Sequence, residues 1–155
     1  MTDLELQFTG ELPAGLDLAP TERVFMALVR ALPELPGGVI NVAFVDEARS
    51  QEMNREYSGN DYATDVLSFS YIEEGSEPIK DVVGEIAICY EIALRQAEQA
   101  HTTPSEEVAL LTVHGVLHIL GWDHQTPADQ ERMQALQKEL LTAAGYQYRE
   151  FKWED

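Results

Sequence analysis

The chain is 155 residues long, 45% of them are hydrophobic, and 28 acidic against 10 basic side chains give a formal net charge of −18. This length and composition predict one globular domain that spans residues 1–155, and no apolar stretch reaches the roughly 18 residues that a membrane-spanning helix needs. The one cysteine excludes an internal disulfide, and we expect a cytoplasmic protein without a disulfide-linked partner.

Apolar periodicity and turn-forming residues divide the chain into short strands and helices. In chain order, the predicted elements are a strand at 4–8, a helix at 20–32, a strand at 39–45, a helix at 46–57, strands at 66–72 and 82–89, and helices at 91–100, 104–120 and 126–144. The acidic segment 73–78 contains glycine and proline, which predicts a hairpin or loop between two strands. We therefore expect an α+β domain in which a small mixed sheet of about four strands packs with about five helices.

The helix predicted at 104–120 carries apolar residues around most of its circumference. Thr103 and Glu106 have the spacing of a capping box, and Pro104 occupies the first helical position, so the helix begins there. A helix that is apolar on most sides lies buried at the centre of a domain. We therefore expect functional side chains on it to be held rigidly.

Three of the four histidines, His114, His118 and His124, fall within eleven residues at the end of this helix. The first two are four residues apart, slightly more than one turn, so they lie on one face and can share an ion. Gly121 can adopt positive φ, end the helix and bring His124 back beneath the pair. Three imidazoles with an open fourth position are typical of a catalytic zinc site, which predicts one zinc ion per chain. His101, near the end of the preceding helix, is not expected to be a ligand.

The same histidine spacing occurs in the metzincin proteases, where a glutamate after the first histidine acts as the general base. Gly115 occupies that position in this chain. Peptide hydrolysis of the usual zincin type would therefore lack its base. The spacing indicates a metal site and disfavours a peptidase.

Three blocks in a fixed order resemble one protein family, and the second of them, residues 53–69, matches in two segments. Residues 114–124, His-Gly-Val-Leu-His-Ile-Leu-Gly-Trp-Asp-His, resemble the signature of the YbeY family of bacterial metal-dependent endoribonucleases, which mature ribosomal RNA. Residues 53–57, Met-Asn-Arg-Glu-Tyr, and 64–69, Thr-Asp-Val-Leu-Ser-Phe, are similar to two further segments of that family. Residues 84–89, Gly-Glu-Ile-Ala-Ile-Cys, are similar to its Gly-Asp-Ile strand.

The resemblance implies a metal-dependent hydrolase that acts as an endoribonuclease in ribosomal RNA maturation and ribosome quality control. Zinc would be its cofactor, and ribosomal RNA its substrate. The resemblance implies RNA and ribosome-associated proteins as partners. No membrane partner is implied.

The chain departs from the family in the second block. Where the family carries an arginine after the tyrosine, for catalysis or phosphate binding, this chain has Ser58. Asn60 and Ala63 replace a lysine and a proline that are common nearby. Serine cannot reproduce the two-pronged contact of a guanidinium with phosphate, so the usual arrangement requires a substitute. Arg55, about one helical turn earlier, is the candidate, and both it and Ser58 are predicted substrate-binding residues.

Two further residues are candidates for the reaction. Asp123 adjoins His124 and is the candidate catalytic residue, because its carboxylate can orient an imidazole or accept a proton; a structural cap of the turn is an equal alternative. Ser68 lies on the strand predicted to line the cleft and can bond a phosphate. The hydroxyl of Thr64 is instead expected to satisfy backbone groups, and Cys89 to be a small buried residue.

The net charge of −18 is unusual for a protein that handles RNA, since affinity for phosphates rests on lysine and arginine. The basic residues are scattered along the sequence, so we expect no tight nonspecific binding to naked RNA; a transient encounter assisted by a ribosome-associated partner stays open. Two alternatives also stay open. One is a zinc hydrolase of a peptide or small ester, and the other is a non-catalytic ribosome-assembly factor with a structural metal.

Overall fold

The computed structural model describes residues 3–72, 81–122 and 125–148. Within these ranges the helices and strands are β1 (Leu4–Thr9), α1 (Ala19–Ala31), β2 (Gly38–Val45), α2 (Glu47–Ser58), β3 (Val66–Ser70), β4 (Val82–Cys89), α3 (Tyr90–Ala100), α4 (Pro104–Ile119) and α5 (Pro127–Ala143). The α+β fold with a mixed four-stranded sheet is confirmed, and the segment predicted as a loop at 73–78 lies outside the described residues. None of the helices in the described ranges is long and apolar enough to cross a membrane.

Short polar side chains begin three of the helices. Asp46 precedes α2 and accepts a hydrogen bond from the Arg49 N–H at 2.7 Å. Thr103 and Thr126 accept equivalent bonds at the starts of α4 and α5. At the end of α2, Gly59 has a φ of 77° in the left-handed region. These local signals explain why the helix bounds follow from the sequence.

The sheet has the strand order β1-β2-β4-β3. β1, β2 and β4 run parallel, and β3 pairs antiparallel with β4 at one edge of the sheet. β3 ends at Ser70, so the predicted strand end at Ile72 is wrong. Tyr71 still bonds the carbonyl of Val83 at 2.9 Å, whereas the Ile72 N–H, on the free edge of the sheet, bonds the hydroxyl oxygen of Ser70 at 3.3 Å, a local contact that the apolar pattern does not encode.

α4 lies directly on the sheet because two glycines remove side chains from the contact. A Cβ on Gly84 would lie 2.7 Å from the side chain of Ile119, and one on Gly115 would lie 2.9 Å from that of Ile86. Neither distance is compatible with a side chain in its present surroundings. Gly115 therefore faces β4. Close packing of α4 against β4 requires a residue without a side chain at this position, where metzincin proteases carry their glutamate base.

α2 packs against the opposite face of the sheet. Ser68 pairs with Ile86 across the antiparallel ladder and so shares the face that α4 covers. Phe69 points the other way, and its ring meets that of Tyr57 in α2 at a centroid distance of 5.0 Å. β3 therefore lies between the end of α2 and the helix that carries the histidines.

Candidate metal centre

α4 brings His114 and His118 together on one face. Twelve of its sixteen residues are buried, including His114, while His118 is half-buried. The two ring centres are 5.0 Å apart, and the ring planes meet at 77°. Ring centres of two imidazoles on one tetrahedral zinc ion are about 5 Å apart, because Zn–N bonds are about 2 Å long. The separation of the pair therefore fits two ligands of a single metal ion.

His114 has a buried partner that the sequence did not reveal. Its Nδ1 lies 2.8 Å from Oε1 of Gln137 on α5, and the Nε2 of Gln137 lies 3.4 Å from the hydroxyl of Tyr148. Gln137 is fully buried. The signal available in the sequence was a single glutamine on the apolar face of α5, which gives no indication of the element that it contacts.

The turn after α4 has the form of a Schellman motif. The N–H of Gly121 bonds the carbonyl of His118 at 3.0 Å, and the N–H of Trp122 bonds that of Leu117 at 2.9 Å. Gly121 has a φ of 101°, which confirms the predicted positive φ. The helix thus ends at Ile119, one residue after His118, and Gly121 turns the backbone away from it.

Asp123 and His124 lie outside the described residues, so the candidate catalytic carboxylate and the third ligand stay predictions. In the part of the chain that the structure describes, no group of three histidine, cysteine, aspartate or glutamate side chains comes together to hold an ion. The structure therefore describes two of the three proposed ligands, His114 and His118, and the turn at Gly121 that follows them in sequence.

A cavity of about 320 Å³ adjoins this turn. Its lining residues are Leu120, Gly121, Trp122, Asp129 and Arg132. Hydrogen bonds from Thr126 and from Arg132 lower the pKa of the Asp129 carboxyl, so this group stays ionised and paired with Arg132. The cavity walls thus combine apolar side chains with a paired arginine.

The candidate substrate residue Ser68 lies on the α4 side of β3. The next residue on the same face, Ser70, donates a hydrogen bond from its hydroxyl to the carbonyl of Ile119 at 2.9 Å. This bond ties β3 to the end of α4. Ser68, half-buried, is therefore on the sheet face that also receives the histidine helix.

Arg55 and Ser58 belong to the end of α2, on the other side of β3. Both are exposed, and Arg55 pairs with Asp61 at 3.5 Å. Such exposed ion pairs contribute about 0–1 kcal/mol, so the guanidinium can exchange this partner at little cost. The structure thus separates the three candidate substrate residues, with Ser68 on one face of the sheet and Arg55 and Ser58 at the end of the helix that covers the other.

Hydrogen bonds of residues in and next to the family-like block at residues 53–69 connect α2 to the loop before β3. The hydroxyl of Ser50 bonds both the N–H and the carbonyl of Thr64, at 2.9 and 2.8 Å. Asn54 donates to the carbonyl of Tyr62 at 3.0 Å. The hydroxyl of Thr64 lies 3.3 Å from a carboxylate oxygen of Asp65. α2 and the loop before β3 therefore form one hydrogen-bonded unit.

Two other residues lie where the sequence predicts, one in the core and one at a helix end. Cys89 is buried, and its burial raises the pKa of the thiol, so it is a packing residue rather than a nucleophile. His101 is exposed at the end of α3, in the left-handed region with a φ of 57°.

We expect Gly121→Val to lose both stability and bound metal. No described residue lies within 4 Å of a Cβ placed there, so the cost that the structure shows comes from the backbone, where a β-branched residue at positive φ loses about 1–3 kcal/mol. Zinc content by elemental analysis and the unfolding free energy would be measured together. Gly59→Val is the matched control, since it strains a helix end without following a histidine pair. Normal zinc content in Gly121→Val would show that the turn does not position a ligand.

Comparisons with known proteins agree with the sequence blocks. The family model described as Endoribonuclease YbeY matches residues 20–145. A protein named Endoribonuclease YbeY from Halorhodospira halophila is 36% identical over 149 residues, which is 94% of this chain and 95% of that protein. Another of the same name, from Cupriavidus necator, is 34% identical over 144 residues, 93% of this chain and 70% of that protein.

A solved structure is also similar in fold. The solution structure of a Thermotoga maritima protein superposes with a TM-score of 0.57 and 26% identity, covering 92% of this chain and 89% of that one. The matched residues include strands β2, β3 and β4 and all five helices except the first residue of α1, while β1 lies outside the match. By these matches, the chain belongs to the endoribonuclease YbeY family.

Proposed function

We propose that this protein is a zinc-dependent endoribonuclease that matures ribosomal RNA and acts in ribosome quality control. Family membership assigns hydrolysis of RNA to the chain. The observation that supports the metal is the pair of imidazoles 5.0 Å apart on a buried helix. A zinc ion held by His114, His118 and His124 would lower the pKa of a water toward neutrality and polarise a phosphoryl oxygen.

The residues around the ion would bind and orient the substrate. Asp123 is proposed to hold or accept a proton beside the ligand that follows it, and Ser68 to donate a hydrogen bond to a phosphate oxygen. Arg55 is the proposed cationic contact from α2. Gly115 faces the sheet, which argues against a general base at the position where metzincins carry glutamate.

The charge distribution supports a transient encounter with RNA. Of the seven basic side chains in the described ranges, Arg49, Arg55, Arg95 and Arg132 are in ion pairs with carboxylates. These carboxylates offset much of the positive charge around the arginines, which weakens long-range attraction to phosphates without preventing a local contact by one guanidinium, in keeping with the net charge of −18. We propose that ribosome-associated proteins bring the enzyme to its RNA in the cytoplasm.

The proposal is tested by RNA cleavage with controlled metal content. The zinc-loaded protein is incubated with a structured and a single-stranded RNA, with and without a chelator, and zinc or magnesium is then added back. We expect cleavage that the chelator abolishes and that zinc restores, because the ion supplies the reactive water.

Two outcomes would contradict it. Cleavage that persists in protein shown by elemental analysis to be free of metal would exclude a metal-dependent reaction. Full zinc loading without cleavage of either RNA would instead favour the assembly factor with a structural metal. A peptide or ester hydrolysed under the same conditions would support the other alternative.

A further inference from the structure

Gln137 is a polar side chain at a position where α5 is otherwise apolar. It is 0% exposed and lies three or four residues from Met133, Leu140 and Leu141, which are buried on the same face. Burying an amide costs free energy unless its polar atoms find partners. Among the described residues, its carbonyl oxygen lies 2.8 Å from His114 and its amino group 3.4 Å from Tyr148.

The contact with His114 determines which ring nitrogen carries the proton. The Oε1 atom of Gln137 can only accept a hydrogen bond, so the Nδ1 of His114 must be the donor. In a neutral imidazole only one nitrogen is protonated, so Nε2 is then the unprotonated nitrogen, whose lone pair can be donated to a metal ion.

We propose that Gln137 is a positioning residue that holds His114 in the tautomer able to bind a metal ion through Nε2. The inference rests on the proposed function, because it assigns His114 as a ligand. The Gln137 amino group donates to the hydroxyl of Tyr148 at 3.4 Å, so the second polar group of this buried amide also has a partner. α5 therefore contributes to the metal site through a helix-to-helix contact, without supplying a ligand of its own.

A neutral amide suits a site that must accept an anionic substrate. Many metal-binding histidines are oriented by a carboxylate. A carboxylate also keeps the proton on the ring nitrogen that it contacts, but it adds a negative charge to the site. With three neutral imidazoles and Gln137, the site keeps the full charge of a divalent ion for the phosphodiester. Gln137→Glu should therefore bind metal well but bind RNA less tightly.

The test compares two variants of the full-length chain. Gln137→Met keeps the length of the side chain but replaces the carbonyl oxygen with a thioether, a much weaker acceptor, and Gln137→Glu keeps an oxygen acceptor. Gln134→Met, the same change one turn earlier at a half-buried position of α5, is the matched control. The readouts are the tautomer of His114, from long-range ¹⁵N–¹H NMR of the metal-free protein, and zinc affinity, from competition with a chromophoric chelator.

We expect the wild-type metal-free protein to carry its proton on Nδ1 of His114. In Gln137→Met the Nδ1-protonated form should lose its dominance, and zinc affinity should fall by about 10- to 100-fold. Gln137→Glu should keep the tautomer and a zinc affinity within a few-fold of wild type, with a raised KM for RNA and a smaller change in kcat. Gln134→Met should match wild type in every readout.

Several results would overturn the proposal. A wild-type His114 protonated on Nε2 would exclude it directly, and so would wild-type zinc affinity in Gln137→Met. Equal zinc loss in folded Gln137→Met and Gln137→Glu would show that Gln137 only packs the helices. If Gln137→Met does not fold, the tautomer of His114 in the wild type and in Gln137→Glu, together with the zinc affinity of Gln137→Glu, still tests the proposal. Failure of wild type to bind zinc would refute the proposed function, while the NMR readout would still report on the tautomer.

Discussion

A His118→Ala variant is expected to lose its bound zinc and its RNA cleavage together. Structural zinc sites contribute about 10–16 kcal/mol over four ligands, so one ligand is worth about 3 kcal/mol, or roughly a hundredfold in affinity. His118 is the better choice for the test because it is half-buried, whereas His114 is buried between α4 and α5. Zinc per chain after desalting, competition titration and single-turnover cleavage measure the effect.

The matched control is the histidine that is not expected to bind metal. His101 is exposed at the end of α3 with positive φ, a conformation that asparagine tolerates, so His101→Asn removes an imidazole with little strain. It should keep one zinc per chain and the wild-type rate. Undiminished zinc in His118→Ala would refute the proposed site, and equal losses in both variants would show that the effect is not specific to His118.

The sequence predicted those parts of the fold that depend on local signals. Asp46, Thr103 and Thr126 each bond a backbone N–H three residues later, so their positions mark helix starts without knowledge of the rest of the molecule. Gly121 likewise ends α4 by its own conformational preference. These features are encoded within a few residues and can be recognised there.

Features that depend on contacts between distant residues could not be predicted. β3 ends at Ser70, earlier than the apolar pattern indicates, and the Ser70 hydroxyl bonds both the carbonyl of Ile119 on α4 and the N–H of Ile72. The link between Gln137 and His114 joins residues 23 positions apart on two helices. Neither the order of the strands nor the packing of α4 on β4 through Gly84 and Gly115 has a signal in a single sequence.

The structure shows where the arginine of the family would lie in this chain, at the position of Ser58. Ser58 is the last residue of α2, exposed, and followed by Gly59 in the left-handed conformation. The neighbouring Tyr57 fixes this end of the helix against Phe69 of the edge strand. A longer side chain at Ser58 would extend into solvent from a fixed base, without displacing a buried group.

We expect Ser58→Arg to raise RNA cleavage by about ten- to a hundredfold, because a charge-assisted hydrogen bond to phosphate is worth about 1.5–3 kcal/mol. The substitution places a cation at a helix C-terminus on an exposed site, so stability should change by less than about 0.5 kcal/mol. The gain should shrink with added salt because it is electrostatic. Single-turnover cleavage of a short RNA measures it, with Ser58→Gln as the neutral control of similar length.

A variant of Arg55 distinguishes two explanations for the serine at position 58: either Arg55 supplies the contact with phosphate, or this contact is absent from the protein. Its ion pair with Asp61 is exposed and weak, so its guanidinium is available to a phosphate. If Arg55 already supplies the contact, Arg55→Ala should abolish most cleavage, Ser58→Arg should add little, and the double variant should recover activity through the new arginine. If the contact is absent from the natural protein, Arg55→Ala should be nearly neutral and Ser58→Arg should carry the full gain. Rates that are equal in all four proteins would mean that no guanidinium at the end of α2 touches the scissile phosphate, and that substrate is held from the Ser68 side of β3.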